Sequence, residues 1–142
     1  IPAIEITEDI EFSMGEVASE PSYIKYLRLK VILDNSFPTP LVSQIYFYDD
    51  NNQQVDSLFE SRKFVQPAYL DDVGELSRPR RKVIQVEMNT DRIEKIFQSN
   101  YLRVYGKIQL KNEDIEKIKF FSDYEIGVQI GLQVKLDIDP SL

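Results

Sequence analysis

A chain of 142 residues with 42% hydrophobic and 11% aromatic residues has the composition of one globular domain, able to bury about two thirds of its unfolded surface. It holds no cysteine and no histidine, which excludes disulfides, thiolate nucleophiles, cysteine or histidine zinc sites and any catalytic triad that needs an imidazole. A net charge of -7 repels phosphate backbones and sets nucleic-acid binding aside.

The acid is unevenly placed. Glu5, Glu8, Asp9, Glu11, Glu16 and Glu20 stand within 1–24 without a single base. Residues 4–14 alternate loosely through Ile4, Ile6, Ile10, Phe12 and Met14, which predicts a first strand with an acidic outer face. Residues 15–22 form a loop that closes on Pro21. A second, stronger strand follows over 23–33, with Leu27, Leu29, Val31 and Leu33 inward and Arg28 and Lys30 outward. Pro38 and Pro40 remove ladder donors and end it. A third strand over 41–49 places Ile45 and Phe47 on one face and Tyr46 and Tyr48 on the other. Asp50, Asn51, Asn52 and Gln53 then read as a hairpin turn leading to a short strand over 55–59.

Residues 63–70 suit an edge strand, because Pro67 forbids a central place in a sheet. Residues 71–79 carry Gly74 and Pro79 and read as a loop, and 81–88 as a strand with Ile84, Val86 and Met88 inward. One helix is expected over about 91–99, capped by Thr90, with Ile93, Ile96 and Phe97 on one face. A strand over 102–110 turns Leu102, Val104, Ile108 and Leu110 inward, with Gly106 in the same phase. After a polar turn at 111–116 the clearest element begins. From Tyr124 to Ile138 every even position is apolar and every odd one polar or glycine. That is a long antiparallel strand with one buried face, bending at Gly127 or Gly131, and Ile118 and Phe120 in the same phase could extend it back to Lys117. Its apolar row is expected to be buried by this chain's own strands.

Seven or eight strands with one short helix give an all-β fold: a single antiparallel, Ig-like or Greek-key β-sandwich over 1–142. No apolar run approaches the roughly 18 residues of a membrane helix. The chain opens Ile1-Pro2 without methionine, so any targeting sequence or lipid anchor is expected outside these residues.

Three stretches carry a resemblance: Leu27 to Leu41 with its Asn-x-Phe-Pro, the aromatic and Asp-rich run from Gln44 to Phe59, and the run from Phe120 to Ile138. Together they resemble small, largely uncharacterised β-sandwich lipoproteins of gut Bacteroidetes. The first two are also similar to the late-embryogenesis-abundant type 2 sandwich, in which proline follows the asparagine directly; here Ser36 and Phe37 intervene. The resemblance implies a periplasmic or cell-surface location and a lipoprotein anchor, and it brings no catalytic residue.

Two groups of residues invite a binding role. Tyr46 and Tyr48, at i and i+2, form a platform able to stack on a sugar ring or a partner's apolar group, with Tyr26 a possible neighbour; half-buried tyrosines also occur in sandwiches without any ligand. Arg78, Arg80 and Arg81, with Lys82, form the one basic cluster and could hold an anionic ligand or shield an edge strand. Asp49, Asp50, Asn51, Asn52 and Asp56 lack the spacing of a calcium loop, so neither metal nor cofactor is expected. The expected protein is therefore no enzyme. It is a cell-envelope module that binds a protein or glycan, or spaces other domains, as a monomer or weak dimer. Its alternatives are a pilin-like subunit using strand pairing or donation and, more remotely, a glycosidase built on two carboxylates.

Overall fold

The computed structural model describes residues 3–109 and 125–137. It shows an antiparallel, all-β sandwich with a single α-helix among the described residues. The strands are β1 (Ala3–Glu11), β2 (Ile24–Asn35), β3 (Leu41–Tyr48), β4 (Gln54–Ser57), β5 (Lys63–Val65), β6 (Tyr69–Leu70), β7 (Leu76–Arg78), β8 (Arg80–Met88), β9 (Tyr101–Gln109) and β10 (Ile126–Leu136). The helix α1 spans Thr90–Phe97. The larger sheet runs β1-β9-β3-β4, with β5 also on β3; the smaller runs β10-β2-β8, and β6 and β7 make a separate ribbon. The expected edge strand at 63–70 is split into β5 and β6, since Pro67 interrupts the ladder. The loop expected at 71–79 contains β7, held through Asp71, whose carboxylate accepts the amides of Val73 and Glu75 while Gly74 takes φ +83°.

Chain links cross repeatedly between the sheets, so each long strand meets its core partners from the opposite layer. From β2 come Leu27, Leu29, Val31 and Leu33; facing them are Leu41, Ile45 and Phe47 of β3 and Leu102, Val104 and Ile108 of β9. Each such side chain contributes about 1.5–3 kcal/mol when fully removed from water.

Two polar devices fix the corners. Asn35, fully buried, donates to the carbonyls of Thr39 (2.9 Å) and Gln66 (3.1 Å) and accepts the amide of Phe37 (2.9 Å). The Asn-x-Phe-Pro stretch thus closes the β2–β3 turn and seats Phe37 against the core. Arg92 on α1 pairs with Asp56 at 3.0 Å and donates to the carbonyls of Ser57 and Leu58, tying the helix to the end of β4. The helix cap is Asn89, which accepts the amide of Arg92, and not Thr90; the asparagine lies one residue earlier and has the extended backbone a cap needs.

The last strand corrects the expectation of full burial. It pairs with β2 from Ile126 opposite Asn35 to Leu136 opposite Ile24, so it belongs to this chain's own sheet. Yet Ile126, Val128, Ile130 and Val134 are only half-buried, and Leu132 and Leu136 are exposed. An edge strand has a neighbour on one side only, and its apolar face is correspondingly half covered. The expected turn at 111–116, the inward places of Leu110, Ile118 and Phe120, and the strand ends Tyr124 and Ile138 lie outside the described residues.

Candidate functional site

The outer face of the larger sheet is built from the odd positions of β9 and the even positions of β3. Pairing sets Tyr48 opposite Tyr101, Tyr46 opposite Arg103 and Gln44 opposite Tyr105. Because the period of a strand is two, burying Leu102, Val104 and Ile108 obliges Tyr101, Arg103 and Tyr105 to face outward beside Tyr46 and Tyr48. The two tyrosines singled out in the sequence therefore do share an outward face.

The geometry of this face is specific. Tyr48 and Tyr101 stack with centroids 5.1 Å apart and planes 6° from parallel. The Arg103 guanidinium lies 4.8 Å from the Tyr48 centroid and 5.8 Å from that of Tyr101. It is held there by a two-pronged ion pair with Asp9 of β1, at 2.7 and 3.0 Å. This hydrogen-bonded pairing pulls the Asp9 carboxyl below its ordinary range and pushes the Arg103 guanidinium further up. Arg62 covers Tyr105 from 5.2 Å. The Tyr105 hydroxyl donates to Glu5 at 3.3 Å; burial first, and then the Glu5 charge, raises its pKa. The Tyr101 hydroxyl donates to Asn52 at 3.1 Å in the β3–β4 turn.

Sequence reading missed Tyr101, Arg103 and Tyr105. Their signal was the polar phase of the same strand whose apolar phase was legible; the pairing of β9 with β3 was not. Tyr26, expected as a neighbour, is on β2 in the other sheet, where its hydroxyl donates to Glu87 at 3.0 Å and Lys135 lies over its ring.

The basic cluster is turned inward on its own chain. Arg78 and Arg80 lie 4.1 and 3.7 Å from the Tyr69 centroid, and Arg80 also donates to the Tyr69 hydroxyl and the Pro67 carbonyl. Arg81, on the opposite face of β8, grips Asp34 with bonds of 2.8 and 3.0 Å, while Lys82 donates to the Phe64 carbonyl. These cations knit the β6–β7 ribbon and β5 to the edge of the smaller sheet. In the Asp-rich turn, one Asp49 oxygen accepts the amides of Asn51 and Gln53, so backbone closure engages the carboxylate most central to a metal reading.

No protein-family model matches this chain, and no curated protein matches it in sequence. Among solved structures it is similar to a protein of Parabacteroides distasonis predicted to be secreted, with 14% identity and a TM-score of 0.50. That likeness covers 78% of this chain and 32% of the other, so the chain spans about a third of the neighbour's length, and what the two share is the fold.

Proposed function

We propose that this chain is a non-catalytic, Ig-like module of the cell envelope that engages a protein partner through the tyrosine face of its larger sheet. One observation carries the reading: Tyr105, Tyr46, Arg103, Tyr48 and Tyr101 lie side by side on two adjacent strands, facing away from the core. Tyrosine and arginine are the residues most enriched where proteins bind one another, and rigid strands hold them at small entropic cost. The guanidiniums of Arg103 and Arg62 lie over the rings, so the surface offers ring edges, hydroxyls and cations rather than the open ring planes on which a sugar stacks. The fold neighbour's predicted secretion agrees with an envelope location. The lipid anchor implied by the resemblance forms part of the same reading, and a spacer between other domains is its alternative.

The test is a photo-crosslinking amino acid placed at Tyr46 of the chain in its native envelope, with a second at Lys30 on the outer face of β2 as control. A single protein adduct at the first position, absent at the second and reduced at least fivefold by Arg103→Glu, is expected. A polysaccharide-array signal abolished by Arg103→Glu, or adducts only from Lys30, would replace this reading.

A further inference from the structure

Two sheet edges of the described residues, β1 and β10, meet beside one shallow cleft. Strands β1 and β10 each end their sheet, and among the described residues neither has a partner beyond it. Between them runs a seam. Ile6 and Ile10 of β1 and Leu132 and Leu136 of β10 point into the core phase, yet each is 37–42% exposed. Across the seam Gly106 of β9 permits close approach: a Cβ there would come within 3.2 Å of Ile126. The cleft at this level, of about 40 Å³, is lined by Ile6, Val104, Ile126 and Val128 together with Glu8. It has room for the end of one side chain and far too little for a small-molecule ligand of several hundred Å³.

The charge is as one-sided as the shape. The outward acids of β1 are partly engaged, Asp9 by Arg103 and Glu5 by Tyr105. Glu8, in the inward phase between Ile6 and Ile10, has no hydrogen-bonding or ion-pair partner among the described residues, and neither does Glu11 at the end of the strand. A carboxylate beside exposed isoleucines on an unpaired strand calls for a cation at one position and apolar groups on either side. The outer backbone groups of an edge strand can hold such a segment extended, provided its own charges complement those of the edge. The opposite edge of the smaller sheet differs: β8 carries Arg80, Arg81 and Lys82, already engaged within the chain.

We propose that the β1 edge takes an additional strand from a partner protein. That strand alternates apolar and polar residues and carries a lysine or arginine in its apolar phase, opposite Glu8. Its apolar side chains cover Leu132 and Leu136 from the larger sheet, and its cation sits beside Glu8 at cross-strand distance, about 5 Å between Cβ atoms. This surface is separate from the tyrosine face, so either can fail without the other.

The probe is a nine-residue peptide alternating threonine with valine, with one lysine in the valine phase, titrated into the whole chain by amide NMR. Shifts confined to β1 and β10 are expected, with about fivefold tighter binding than the same peptide bearing glutamate in place of lysine, the scale of one partly exposed charge pair. Glu8→Lys, at an exposed position that leaves the fold intact, should invert that preference, whereas Lys30→Glu on the other sheet's outer face should leave it unchanged. The proposal is overturned if the two peptides bind alike, if Glu8→Lys fails to invert their order, or if light scattering shows a dimer that occupies the seam and that Leu132→Ser dissociates.

Discussion

Strands β2 and β10 lie side by side and obey the same rule of alternation, yet the core treats them differently. Leu29 and Leu132 are direct cross-strand partners; Leu29 is 1% exposed and Leu132 is 37% exposed. The difference is not in the side chains, which are identical, but in the place of each strand within its sheet. β2 is central, with β8 on its other side and β3 and β9 across the core, whereas β10 has, among the described residues, a neighbour on one flank only. Alternation in a sequence tells which face a residue takes; sheet position decides how much water that face still meets.

The largest break in this comparison is removal of Ile126–Leu136. Without β10, the inward row of β2 loses its covering flank and the β2 backbone loses an eleven-residue ladder. The shortened chain is expected to lose its cooperative thermal transition and near-ultraviolet circular dichroism. A variant that keeps both and binds a peptide of residues 124–138 would make β10 a donated strand rather than a structural one.

A paired truncation measures the gradient directly. Leu29→Ala empties a buried site and should cost about 3 kcal/mol, within the range for core leucines. Leu132→Ala removes a side chain already over a third exposed and should cost about 1 kcal/mol. Urea titration of both variants gives the two numbers, and equal losses would mean that β10 is as well covered as β2.

The long strands, the single helix and the antiparallel sandwich were legible because periodicity is local. Leu27 to Leu33 and Ile126 to Leu136 declare their faces without reference to anything distant. Lateral order is not local. Nothing in the sequence of β9 says that Arg103 will lie opposite Tyr46 and reach Asp9, which is why Tyr101, Arg103 and Tyr105 of the tyrosine face went unread and Tyr26 was grouped with the wrong sheet. Short elements fared poorly for a different reason: the two residues of β6 and three of β7 are too few to show a period, and side chains such as Arg78 and Arg80 over Tyr69 define that ribbon as much as its ladder does. The cap of α1 moved by one residue because Asn89 and Thr90 are both good caps in sequence, and only backbone geometry chooses between them.

The smallest effect belongs to the other free edge. β1 rests on β9 along one flank, and its ion pair between Asp9 and Arg103 is largely exposed and therefore weak. Its signature is a dependence on pH. Hydrogen bonding to Arg103 holds the Asp9 carboxyl below its ordinary value of 3.8 in the folded chain, so the folded state binds this proton less readily than the unfolded one. The contribution is then present above the unfolded value and fades as the pH falls through the folded one, below about pH 4. Asp9→Asn should lower the urea midpoint slightly at pH 7, and the gap between variant and parent should narrow as the pH falls below about 4. Because Arg103 would lose the anchor that holds it over Tyr48 and Tyr101, the same variant should also alter near-ultraviolet tyrosine dichroism at neutral pH. A gap that persists unchanged at pH 3 would show that Asp9 steadies the β1 edge by something other than its charge.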